Sequence, residues 1–166
     1  MTVASLYEGW QRVQNHLVHR LPLLGDEELG FRASDGSWPI WAIVSHIAGT
    51  RVYWLCMQFK EPGIETTPFR DVSDAWEDNL DVPRRSEELL FAIESSWRIV
   101  ESTLERWTPD TMDVAITRQV PSGIQRHTRA SVLTRMVMHD SFHCGEISQL
   151  LGARGLRSMD PWDPVS

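Results

Sequence analysis

Cysteines, basic clusters and long hydrophobic runs are scarce or missing in this sequence, and each shortage excludes a class of protein. The 166 residues include only two cysteines, Cys56 and Cys144. Both lie in segments with a helical pattern, which favours two reduced thiols over a disulfide framework. The net charge is −7 without a basic cluster, so we expect no nucleic-acid partner. No stretch approaches the length of a membrane span, and charged residues come too early for a signal peptide. We therefore expect a cytoplasmic protein that does not contact a membrane.

Convincing period-two alternation, internal repeats and low-complexity tracts are missing as well. The sequence also has no glycine-rich phosphate loop and no nucleophile elbow. With 42% hydrophobic and 23% charged residues, the composition is that of an ordinary globular protein. The length suits one core, so we predict a single domain over residues 1–166.

Helical periodicity is the dominant pattern, and it occurs in four segments. The first carries apolar residues spaced by three or four: Leu6, Trp10, Val13, Leu17 and Leu21. The third carries an unbroken stripe of the same kind: Leu90, Ile93, Trp97, Val100, Leu104 and Trp107. The second runs from Ser37, a suitable N-cap, to about Lys60, and the fourth from about Ala130 to residues 152–155. Four amphipathic helices predict an all-α four-helix bundle.

The connections between these helices differ in length. About twenty residues, 61–81, separate the second helix from the third, and a connection that long favours a crossover along the bundle over a tight hairpin. The stretch between the third and fourth helices is predicted to form a small β-hairpin around Pro121, Ser122 and Gly123.

The inward stripe of the fourth helix contains ionisable residues where a bundle normally has leucine or isoleucine. Its members step by three or four: Val132, Met136, His139, His143, Glu146 and Leu150. Histidines at i and i+4 lie one above the other on one helix face. Burying such groups without partners costs about 1–3 kcal/mol each, and a metal ion would compensate both imidazoles at once. The pair is therefore a candidate ligand pair.

The second helix offers a third imidazole. His46 lies on a stripe with Ala42, Gly49 and Tyr53, and the small residues beside it leave space for an ion or a ligand. A lone histidine on an apolar face is more often a hydrogen-bonded core residue than a ligand. Three histidines on two facing helices, however, match the donor set of a metal site with an open position.

The same residues resemble those of the DinB-like family of small helical bundles. The resemblance consists of Trp38 before a mid-helix His46, the later segment HDSFHCGEI at residues 139–147, and the ending LLGARGL at residues 150–156. It covers essentially the whole chain, in segment order and length. It implies a bundle with a crossover between the second and third helices, a divalent metal, usually zinc or nickel, on the three histidines, and often a homodimer. The family commonly has glutamine after the glycine, where this chain has Glu146.

The resemblance also implies a chemistry. Characterised DinB-like relatives include thiol-dependent S-transferases and a thiol-dependent isomerase, in which the metal activates a low-molecular-weight thiol. We therefore expect a metal-dependent enzyme acting on a small-molecule substrate, by thiol transfer, isomerisation or hydrolysis. The alternative is a non-catalytic, metal-stabilised bundle, for example a stress-related or interaction protein.

Five further residues are candidates for supporting roles. Glu146 is a candidate fourth ligand, general base or acceptor behind a ligand; as a fourth ligand it would close the site. Arg135, one turn before His139, is a candidate for binding an anionic substrate, although a surface arginine is the more common outcome. Tyr53, Trp41 and Trp38 are candidates for lining the mouth of the site, although aromatic residues at helical spacing are more often core.

Other polar residues are expected to lie away from the site. Asp140 is expected to point sideways, toward solvent or Arg157, and His16, His19 and His127 are expected at the surface.

Overall fold

The computed structural model describes residues 2–70, 76 and 79–162. The α-helices are α1 (Glu8–Arg20), a single turn α2 (Asp26–Leu29), α3 (Ile40–Val52), α4 (Ser86–Arg106) and α5 (Arg129–Gly152). Two short strands, β1 (Ala115–Val120) and β2 (Gly123–Thr128), stand between α4 and α5. The long helices α1, α3, α4 and α5 are the four predicted from periodicity, and the helical bundle is confirmed. None of the helices in the described ranges is long and apolar enough to cross a membrane.

The second predicted helix ends in an unusual way. After α3, residues Tyr53–Gln58 continue as a π-helix, so the helical path stops just before Lys60, where the sequence predicted its end. Lys60 itself has a positive φ of 61°, and Gly63 has a φ of 116°. A glycine adopts that second conformation without strain. The π-helix widens the last turn of this helix, a distortion that is frequent at functional sites.

Contacts at both ends show that α1 and α4 run antiparallel. The Val3 amide donates to the Trp107 carbonyl at 3.1 Å, beyond the end of α4. At the other end of the pair, Ser86 Oγ donates to the Leu21 carbonyl at 2.6 Å. The start of one helix therefore lies beside the end of the other.

By contrast, α3 and α4 run parallel, which requires the crossover that the long connection predicted. Arg51 Nη1 in α3 donates to the Ile93 carbonyl in the first half of α4 at 3.5 Å. Farther along both, Trp107 Nε1 donates to Glu61 Oε1 at 2.8 Å. The chain returns between them through residues 59–85, a stretch that contains a 3-10 turn at Ile64–Thr66. Positions 71–75 and 77–78 of this crossover lie outside the described residues.

The predicted apolar stripes form the core, except at Leu6 and at the half-buried Leu90. The third-helix stripe is buried from Ile93 to Trp107, and Trp10, Val13 and Leu17 of α1 are buried as well. Leu6 was predicted to face inward but is 74% exposed. It lies in a 3-10 turn at Ala4–Tyr7, and three residues per turn shift its direction away from the α-helical stripe.

The predicted hairpin is present and leads directly into α5. Its strands pair antiparallel from Ala115 with Thr128 to Val120 with Gly123. Gly123 at the turn has a φ of 125°, which suits glycine. Thr128 then caps α5, because its Oγ1 accepts from the Ser131 amide at 3.1 Å. The hairpin is thereby fixed to the helix that carries two of the three candidate histidines.

Candidate metal centre

The three histidines predicted as ligands come together between α3 and α5. His46 and His139 approach with their Nε2 atoms 2.9 Å apart, and the His143 ring centroid lies 5.2 Å from that of His46 and 4.5 Å from that of His139. One nitrogen from each ring lies within 4.8 Å of the other two. In the described part of the chain, this is the one group of three or more such side chains that could hold a metal ion.

The helix register explains why these rings meet. Thr50 Oγ1 lies 3.5 Å from His139 Nε2, and the Arg135 guanidinium lies 5.3 Å from the Trp54 ring centre. Moving forward along α3 thus corresponds to moving backward along α5, so the two helices are antiparallel. One turn of α-helix separates i from i+4, which places His143 and His139 in succession opposite His46.

The donor set fits a divalent ion. Zinc–imidazole distances of about 2.0–2.1 Å place two nitrogens roughly 3.4 Å apart around a tetrahedral ion. The 2.9 Å between His46 and His139 is somewhat shorter, so a small rotation of either ring makes room for the ion. All three side chains are half-buried, which shields the centre while leaving one side accessible. The site therefore has the chemistry and the spacing of a three-histidine metal centre.

Glu146 contacts the outer side of this centre. Its Oε2 lies 2.9 Å from His143 Nδ1, so the other ring nitrogen of His143 is the one left for a metal. A carboxylate in this position fixes the ring and its tautomer and makes the metal-facing nitrogen more basic. Of the roles considered for Glu146, the geometry favours the acceptor behind a ligand.

Burial keeps His143 in the form that binds metals. Desolvation lowers the pKa of His143, and the neighbouring imidazoles of His139 and His46 lower it further, while the hydrogen bond to Glu146 acts in the opposite direction. A histidine must be neutral to donate its lone pair to a metal. The lowered pKa extends that neutral state toward lower pH.

His139 has a carboxylate beside its outer nitrogen too. Its Nδ1 lies 3.5 Å from Asp140 Oδ1, and both atoms are buried without a hydrogen-bond partner. A metal on Nε2 fixes the proton on Nδ1, which then points to a carboxylate or carbonyl acceptor. With the proton fixed on Nδ1, His139 could donate to Asp140 Oδ1, and both buried atoms would then have a partner. This observation supports the metal assignment.

Asp140 was expected to point toward solvent or Arg157, and that expectation is wrong. Its side chain is fully buried, and Oδ2 accepts from Arg51 Nε at 2.8 Å and from Trp10 Nε1 at 2.7 Å. Arg51 is fully buried as well, and its Nη1 donates to Gln14 Oε1 at 2.8 Å. A buried charge needs a paired partner, and here the pair connects three helices behind the candidate centre.

Sequence reasoning missed this ion pair, although a signal exists. Arg51 is the one charged residue between Ile40 and Gln58, a segment that is otherwise apolar or neutral. A single cation in such a segment predicts that a buried anionic side chain pairs with it. The partner lies 89 positions away in the sequence, and only the packing of the bundle identifies it.

The other candidate residues lie in two different places. Tyr53 and Arg135 lie one turn beyond the centre, around Trp54. Trp41 is buried at the start of α3, where it lines a separate cavity of about 490 Å³ together with residues that include Arg32, Arg84 and Arg85.

Two aromatic rings stand beside the histidines: Trp38, which was a candidate for lining the mouth of the site, and Phe142, which sequence reasoning missed. The Trp38 ring lies 5.1 Å from that of His46, and the Phe142 ring 5.2 Å from that of His143. Both side chains are exposed, so they form part of the rim. His16, by contrast, was expected at the surface and is buried, because it lies next to the inward stripe of α1.

Fold and site together define a crossover four-helix bundle with a three-histidine cluster between two facing helices. The model of the DinB superfamily matches residues 8–147, and the chain belongs to that superfamily. A solved DinB-like protein from Bacillus cereus superimposes with a TM-score of 0.71 over 95% of both chains, at 16% sequence identity. At that identity the likeness establishes the fold. No curated protein matches the chain.

Proposed function

We propose that this protein is a divalent-metal-dependent enzyme whose three-histidine centre activates a low-molecular-weight thiol for S-transfer or isomerisation. Hydrolysis is related chemistry that the same centre would support. One observation carries the proposal: Glu146 contacts the outer nitrogen of His143 at 2.9 Å and so does not take the fourth position around the ion. Catalytic zinc sites keep that position open, whereas structural sites close it.

Zinc and nickel are the proposed metals. Three imidazoles suit zinc, nickel, iron or copper, and the resemblance to the DinB-like family favours the first two. When bound, such an ion would supply Lewis-acid chemistry, lowering the pKa of a thiol or water in the open position. Every other contribution comes from the protein's own side chains. The rings of His46, His139 and His143 hold the ion, and Glu146 orients His143.

The surroundings of the histidines suit a small-molecule substrate. The Thr50 hydroxyl lies 3.5 Å from His139 Nε2, where it can hydrogen-bond a group held near the centre. Trp38 and Phe142 at the rim give a bound molecule apolar surface beside His46 and His143. Two elements thus contribute ligands, and their flanking residues shape the entrance.

Homodimer formation and a cytoplasmic location belong to the same proposal. Exposed apolar side chains on α5 and on the turn before α1 support a dimer: Leu6, Met138 and Phe142. Light scattering on purified protein would measure the mass directly, with a dimer expected. The free, buried thiols of Cys56 and Cys144 suit a reducing compartment.

Cobalt substitution tests the function at the centre itself. We expect cobalt-loaded protein to develop a thiolate-to-cobalt absorption band when 2-mercaptoethanol or glutathione is added. The same protein loaded with zinc or nickel should accelerate transfer of glutathione to an electrophile such as 1-chloro-2,4-dinitrobenzene. The exposed His19→Ala variant should retain both signals and His143→Ala should lose both. Bound cobalt without any thiol band would leave a metal-stabilised, non-catalytic bundle as the better account.

A further inference from the structure

Two arginines lie over a pair of aromatic rings one helical turn from the candidate centre. The Arg118 guanidinium on β1 lies 5.3 Å from the Trp54 ring and 5.5 Å from the Tyr53 ring. The Arg135 guanidinium on α5 lies 5.3 Å from the same Trp54 ring. The His127 ring, on β2, packs against Trp54 at 4.8 Å. Two elements, β1 and α5, thus each bring a guanidinium to the Trp54 ring.

Within the described ranges, neither arginine has an acidic partner. Other arginines do: Arg51 pairs with Asp140, and Arg106 with Glu61. The protein has 23 acidic and 16 basic side chains, so unpaired cations are not forced by a shortage of carboxylates.

The two arginines affect the pKa of the neighbouring His127. Burial lowers the pKa of His127, and the nearby Arg135 and Arg118 lower it further. His127 is therefore neutral at neutral pH, and the two guanidiniums carry the charge. Stacking on an aromatic face leaves their N–H groups able to donate, because cation–π contact uses the flat face of the guanidinium and not its edge.

The position of this surface relates it to the histidines. Arg135 precedes His139 by four residues, one helical turn or about 6 Å along the axis. On the facing helix, Trp54 follows Thr50 by the same interval, and Thr50 Oγ1 lies 3.5 Å from His139 Nε2. A molecule of moderate size with its reactive group at the histidines would reach the arginines with its other end.

We propose that Arg118 and Arg135 form an anion subsite that binds a carboxylate of the small molecule reacting at the histidine centre. Two guanidiniums present paired N–H donors to a carboxylate, and such charge-assisted bonds are about twice as strong as neutral ones. The existence of the subsite follows from the arginines and rings alone. Its role in orienting a thiol rests on the proposed function.

Esterification of the probe tests the subsite. Calorimetric titration of zinc-loaded protein with glutathione and with glutathione diethyl ester compares one thiol with and without its carboxylates. We expect glutathione to bind about tenfold more tightly than the ester. Arg118→Gln and Arg135→Gln should each remove most of this preference. Arg126→Gln, an exposed arginine on the same hairpin, should retain it. Unchanged melting temperatures would show that the variants are folded.

A thiol-free probe separates this inference from the proposed function. S-methylglutathione retains the carboxylates but cannot offer a thiolate, so the effect of the arginine substitutions on its binding to metal-free protein measures the subsite without any bond to a metal. Binding that is lost in Arg118→Gln and Arg135→Gln supports the subsite even if the protein takes up no metal. Equal binding of glutathione and its ester, unaffected by either substitution, overturns the subsite while leaving the metal-dependent function standing.

Discussion

Replacement of Arg51 by methionine would remove the cation that pairs with Asp140 inside the bundle. Both side chains are fully buried, and two nitrogens of Arg51 lie 2.8 Å from Asp140 Oδ2. Methionine fills part of the space but leaves a buried carboxylate without its cation, although the bond from Trp10 Nε1 at 2.7 Å remains. The bond from Arg51 to Gln14 is lost as well.

The cost follows from the burial of the charge. Removing one partner of a buried pair costs about 3–5 kcal/mol, and total stability is only about 5–15 kcal/mol. For a chain of this length, a loss of that size lowers Tm by roughly 6–20 °C. The double variant Arg51→Met/Asp140→Leu removes both charges of the pair. We therefore expect it to be more stable than Arg51→Met alone.

Urea unfolding of metal-free protein, followed by tryptophan fluorescence, measures these differences. Arg98→Met serves as the control, because Arg98 is exposed on α4, and its free energy of unfolding should stay within about 0.5 kcal/mol of wild type. A loss below about 1 kcal/mol for Arg51→Met would refute the reasoning. So would a double variant less stable than the single one.

Three further predictions concern the centre, the thiols and the crossover. Glu146→Gln should weaken zinc binding about tenfold, measured by competition with a chromophoric chelator, with the exposed Glu101→Gln as a control; an unchanged affinity would contradict the contact with His143. Burial raises the pKa of Cys56 to about 11 and that of Cys144 to about 12, so neither should react with Ellman's reagent at pH 8 until urea is added. Gly63→Ala should lower Tm, because its φ is +116° and a Cβ there would lie 2.9 Å from an isoleucine side chain; an unchanged melting curve would argue against that backbone conformation.

Periodicity predicted the bundle because apolar residues spaced by three or four positions lie on the buried face of a helix. The stripe from Ile93 to Trp107 is buried as expected, and the hairpin at Gly123 follows from turn chemistry. The error at Leu6 has the same origin: the prediction continued an α-helical phase into a segment that forms a 3-10 turn. The π-helix after α3 was not predicted, because the spacing of apolar residues does not distinguish it from the α-helix that it continues.

The candidate site was only partly predictable. The spacing of His139 and His143 alone predicts that they share a helix face. His46 was predicted as the third ligand from its place on the second helix and from the family resemblance. The side chains behind them were not predictable in this way. Asp140 and Arg51 are single charged residues on separate helices. Their pairing depends on the register between α3 and α5, and the sequence of one helix alone does not determine that register.

The central claim is that His46, His139 and His143 together bind a divalent metal, and metal content tests it most directly. Elemental analysis of protein purified without a histidine tag would compare wild type with His143→Ala. We predict about one ion per wild-type chain and its loss in the variant. Wild-type protein that contains no ion, and takes up neither zinc nor nickel when they are added, would contradict the account.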